Sequence, residues 1–90
     1  MDYIYEIIEH TFDSNRDEDQ ELVEAVIARG LDQEAGIIKM RAFFEENRPK
    51  DKDFKIILDE PLVIIAEKYD EKTQRIEQYA VSLEKTSLNF

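Results

Sequence analysis

The residues with the most specific chemical spacing are 13–24, DSNRDEDQELVE. Asp13, Asn15, Asp17, Asp19, Glu21 and Glu24 stand at positions 1, 3, 5, 7, 9 and 12 of that window. These are the positions from which an EF-hand loop converges oxygen ligands on calcium, a hard cation that takes several carboxylates and carbonyls at once. Two residues depart from the pattern. Glu18 holds position 6, where the sharp turn demands glycine, and Gln20 holds position 8, where an aliphatic residue belongs. No second loop of this kind accompanies the first. An acidic loop feeding a helix N-terminus is the preferred reading, with no cofactor and no metal; a degenerate calcium site is the alternative.

Other chemistry is thinner. His10 is the only histidine, and a nucleophilic relay would need a hydroxyl or thiol and an orienting acid arranged around it. Ser14 and Asp13 lie nearby in sequence, but polar neighbours at the end of an element are common. There is no cysteine, so thiolate catalysis, disulfides and cysteine zinc sites are excluded. Gly30 and Gly36 are the only glycines, too few for a phosphate-cradling loop. Carboxylates abound, yet no pair is singled out as an acid and base with separated pKa values. The chain therefore reads as non-enzymatic.

The elements that must carry these residues can be outlined from periodicity. Ile4, Ile7, Ile8, Thr11 and Phe12 fit one stripe of an amphipathic helix over 2–12. A second helix from about Asp19 turns Leu22, Val23, Val26 and Ile27 inward, ending at Arg29 with Gly30 in the left-handed position. Asp32 N-caps a third helix to about Asn47, in which Ile37, Met40 and Phe44, flanked by Ile38 and Phe43, form the apolar face. Gly36 suggests a close contact there, and Pro49 forces Arg48 out of helical geometry. Phe54–Leu58, Leu62–Ala66 and Tyr79–Leu83 read as strands, with DEKTQ at 70–74 as a hairpin loop. The expectation is an α+β fold, one domain over 1–90. An acidic helical part spans 1–47 and a three-stranded antiparallel meander 54–85. An all-α bundle is the alternative, because Leu62, Tyr69, Ile76 and Leu83 recur at sevens.

AFFEEN at 42–47, together with the terminal SLNF, resembles the late-transcription coactivators of some phages, small proteins that bind RNA polymerase and the sliding clamp. The resemblance covers about half of the chain. The strand-like stretch from 54 to 83 departs from that helical family, so no residue role is carried over.

Charge points to the kind of partner. The chain carries 22 acids against 12 lysines and arginines, for a net charge of −10. Residues 1–36 hold eleven acids and two bases, whereas 37–90 hold eleven acids and ten bases. Such a field repels nucleic acid and anionic lipid, so direct nucleic-acid and membrane binding are not expected. The expected partner is another protein with a basic, nucleic-acid-binding surface. The chain would occlude that surface in the manner of an immunity-type inhibitor or a phage-encoded DNA mimic. Asp13, Asp17, Glu18, Asp19, Glu21 and Glu24 would meet it, with Tyr3 and Tyr5 as aromatic anchors. A regulatory or transcription-associated adaptor that bridges proteins or forms a homodimer is the second reading. The absence of cysteine and an acidic N-terminus that does not suit a signal peptide lead to a cytoplasmic expectation, in a host or infected cell.

Overall fold

Residues 3–14 and 21–87 are described by the computed structural model. Five strands and one helix follow in the order β1 (Tyr3–Ser14), β2 (Glu21–Leu31), α1 (Gln33–Asn47), β3 (Lys55–Glu60), β4 (Val63–Asp70) and β5 (Arg75–Ser87). The strands form one antiparallel sheet in the order β2-β1-β5-β4-β3. This corrects the expectation of three helices before a three-stranded meander, and equally the all-α alternative. The expected first and second helices are β1 and β2.

The physical reason lies in the other half of the chain. Tyr3, Ile4, Tyr5, Ile7, Ile8, Thr11 and Phe12 are β-branched or aromatic, types that suit a pleated, half-buried surface. Their spacing satisfies a helix as well. Pairing along the whole of β5, from Tyr3↔Ser87 to Ser14↔Ile76, decides the matter. In β2 the apolar doublets Leu22-Val23 and Val26-Ile27 do not gather on one stripe. They fall on both faces, with register shifts that leave Ile27 and Gly30 as extra residues. Gly30 has the positive φ expected of it, at 81°. Here that backbone belongs to the extra residue of a strand irregularity, a left-handed conformation that glycine adopts without strain.

The third helix and the last three strands form near the expected positions, but the strands are longer and belong to the five-stranded sheet instead of a separate meander. Asp32 caps α1, its Oδ1 accepting from the Ala35 N–H at 2.8 Å. Arg48, ahead of Pro49, leaves the helix with ψ 146°. Pro61 and Leu62 turn β3 into β4, and a turn at 71–74 ending on Gln74 (φ 55°) leads into β5.

Helix α1 lies on one face of the sheet, against β5 and β1. Gly36, Met40 and Phe44, four residues apart, are its buried stripe. A Cβ on Gly36 would sit 2.8 Å from Leu83 Cδ1, so the missing side chain sets how near the helix comes. Met40 and Phe44 join Ile7, Ile64, Ala66, Tyr79, Val81 and Leu83 in the core. Ile38 points away and is 72% exposed. Fifteen residues of helix make a rod of only about 22 Å. The molecule is 50 Å along its longest axis, so the helix leaves much of the sheet uncovered.

Candidate functional site

Strand alternation sends every second residue to the face opposite α1. From β1 these are Ile8, His10 and Phe12; from β2, Leu22, Glu24 and Val26, paired with Phe12, His10 and Ile8 in turn. Strands β4 and β5 add Val63, Ile65, Gln78, Ala80, Ser82 and Glu84, which with His10, Phe12 and Leu22 line a groove of about 370 Å3. Its walls are mainly hydrocarbon. Leu22 and Val26 are 60% and 50% exposed, a large apolar exposure for a single strand.

His10 is the polar centre of the groove and links three strands. Its Nδ1 lies 2.7 Å from Glu24 Oε2 on β2, and its Nε2 lies 2.9 Å from Ser82 Oγ on β5. The Ser82 hydroxyl donates to Glu84 Oε2 at 2.9 Å, and that oxygen is 3.6 Å from His10 Nε2. Acid, imidazole and hydroxyl thus stand in the sequence of a serine-nucleophile relay. The proton bookkeeping differs from that of a relay. The Ser82 hydroxyl donates to the Glu84 carboxylate, where a relay would have it donate to the imidazole. Ser82 also lies mid-strand, between Ile8 and Val63, and the N–H of Leu83 donates to the Leu62 carbonyl at 2.8 Å. Those ladders occupy the amides that an oxyanion would require. The arrangement sets the imidazole between two carboxylates and ties three strands together.

Around this centre the carboxylates have partners. Arg75 clamps Asp13 in a bidentate contact, Nε to Oδ1 at 3.0 Å and Nη2 to Oδ2 at 2.6 Å. Hydrogen bonding from Arg75 holds the Asp13 carboxyl below its usual range. Glu6 is buried and meets Arg29 at 3.1 Å and the Thr86 hydroxyl. On the helix side, Tyr79 donates to Glu9 at 2.7 Å.

The residues expected to contact a partner fall into separate places. Glu24 is at the groove, its side chain 54% exposed beyond its contact with His10. Asp13 is at the far end of β1, engaged by Arg75. Glu21 opens β2. Tyr5 packs against the core, and Tyr3 stands edge-on to it with Lys85 over its ring at 3.7 Å. Asp17, Glu18 and Asp19 lie outside the described residues, as does half of the 13–24 window. The flanks of that window are strands, where an EF-hand has helices, and His10 sits in β1 and not at a helix end. No group of three or more histidine or carboxylate side chains is placed to hold a metal among the described residues. No helix among them is long and apolar enough to cross a membrane.

Sequence reasoning missed Ser82, Glu84 and the groove-lining Phe12, Leu22, Val63 and Ile65. Alternation at Ile8, His10 and Phe12 was the available signal. Their partner Ser82 is 72 residues from His10, beyond any local pattern. Comparison with known protein families, curated proteins and solved structures finds no match.

Proposed function

We propose that this chain is a non-enzymatic binding module that docks a basic partner protein on its open sheet face. The observation that carries the reading is the groove. Apolar side chains Phe12, Leu22, Val63 and Ile65 surround a polar centre bordered by Glu24 and Glu84. Apolar area gives affinity, and the surrounding carboxylates select a cationic partner and hasten encounter. The excess of acids in residues 1–36 extends the same field across the β1–β2 half. An inhibitor that covers a nucleic-acid-binding surface needs these two properties together. Stacking two copies face to face would bring their Glu24 and Glu84 carboxylates near each other, so the basic partner is favoured over a homodimer on this face.

A displayed random-peptide library, selected against the protein at low salt, tests the reading. Sequences mixing Lys or Arg with apolar residues are expected to enrich. Their association rate should fall about tenfold or more on raising ionic strength. Phe12→Ser and Glu84→Lys should each weaken them. Enrichment without basic residues, or binding indifferent to both substitutions, would sink the proposal.

A further inference from the structure

The two edges of the sheet are finished differently. Strand β3 is six residues long, carries Lys55, Asp59 and Glu60, and has an extra residue at Ile57. Arg41 from α1 also donates to the Glu60 carbonyl at 3.1 Å and to Asp59 at 2.6 Å. Short length, charge and a bulge are the ordinary means of blunting an edge against pairing. Strand β2 has eleven residues, and no strand pairs with its outer side among the described residues. Its irregularities lie at Ile27 and Gly30, leaving 21–26 in unbroken register with 8–13 of β1. Within that window Leu22, Val23 and Val26 are 60%, 53% and 50% exposed, and they lie on both faces.

We infer that β2 is a docking edge at which an extended segment of the basic partner adds as a sixth strand, an inference that rests on the reading above. Main-chain hydrogen bonds to an edge are indifferent to sequence, so alternate side chains must supply the selection. Opposite Leu22, Glu24 and Val26 on the groove face, the added strand presents apolar, basic and apolar residues. Opposite Val23 and Ala25 on the other face, it presents two apolar residues. The segment is therefore two apolar residues, one Lys or Arg, and two more apolar residues. Its central cation meets Glu24, whose carboxylate is half-exposed. A second copy of this chain lacks that complement. Paired about the same window it sets Glu24 against Glu24, and it joins two segments of the same negative sign.

The test uses the full chain and a synthetic peptide with Val-Val-Arg-Val-Val at its centre and lysines at both ends. Two derivatives carry N-methyl groups on alternate residues of the central five, each removing one of the two outward-facing sets of amide donors. Fluorescence anisotropy should show one N-methylated peptide binding as the parent does and the other at least tenfold more weakly. Amide exchange should slow in 22–26 on binding. Leu22→Thr with Val23→Thr, both at exposed sites, should weaken the parent peptide without changing the unfolding midpoint. Equal tolerance of both N-methylated peptides, with salt-sensitive binding retained, overturns strand addition and leaves the docking of a basic partner standing. Slowed exchange confined to β1 and β5 does the same. Failure of every basic peptide to bind at low salt overturns both. A stable dimer through β2 that the peptide does not displace assigns the edge to a second copy and overturns the inference.

Discussion

The covered and open faces of this sheet come from the same strands, read at alternate residues. Ile7, Val81 and Leu83 turn toward α1 and are buried with Met40 and Phe44; Ile8, His10, Phe12 and Ala80 turn the other way. An antiparallel sheet ordinarily solvates its uncovered face with polar side chains. Here hydrocarbon stays on both faces, and the open one places its charged groups around a central groove. One face is organised to be filled by its own chain. The other has the same kind of surface, and no described segment of the chain lies over it.

Substitutions on either side should separate these roles. The largest effect is expected from Phe44→Ala, which removes the largest fully buried side chain, on the inner stripe of the helix. Unfolding by urea should show a loss of about 3–5 kcal/mol. Phe12→Ala, on the open face, should cost only about 1–2 kcal/mol while weakening partner binding. Equal stability losses would erase the contrast between the faces. Next comes Gly36→Val, which drives a side chain into Leu83 and should cost about 1–3 kcal/mol. Leu83→Ala in the same chain should return part of that loss, measured as a double-mutant cycle.

A smaller effect is set by pH. Burial, and then the hydrogen bond to Glu9, push the Tyr79 phenol above the ordinary 10.0. A raised folded value means that this contribution is whole below about pH 10 and is lost as pH climbs toward the folded value. Urea midpoints between about pH 8 and 11 should therefore fall in the native protein and fall less in Tyr79→Phe. The smallest effect concerns the exposed clamp of Arg75 on Asp13. Its lowered carboxyl contributes above the ordinary 3.8 and loses that contribution as pH falls. Asp13→Asn should flatten the acid limb of the stability profile, an effect that added salt diminishes.

The parts legible in the sequence were those fixed by local chemistry. Asp32 and Pro49 bracket α1 because a cap and a proline act on the backbone beside them. The turns at Pro61 and 71–74 delimit the meander for the same reason. Strands β1 and β2 were not legible as strands. Ile4, Ile7, Ile8 and Phe12 satisfy a helical period, and the doublets of β2 do so again. Only the distant β5 selects between the two periods. The candidate site was hidden by the same distance. His10 and Glu24 were visible as residue types, whereas their meeting with Ser82 depends on a register that no nearby pattern encodes.

The position of β5 at the centre of the sheet has a consequence in time. Between His10 and Ser82 lie 72 residues of synthesis. At about 5–20 residues per second the ribosome takes about 4–14 seconds to supply them. Throughout that interval β1 lacks its inner neighbour, and Phe12, Leu22, Val23, Val26 and Ile27 have no completed sheet to join. The acids crowded into residues 1–36 are made before β5, so they are present when nascent chains most need to be kept apart. An edge open to a partner's strand, as proposed for β2, must first avoid receiving its sibling's.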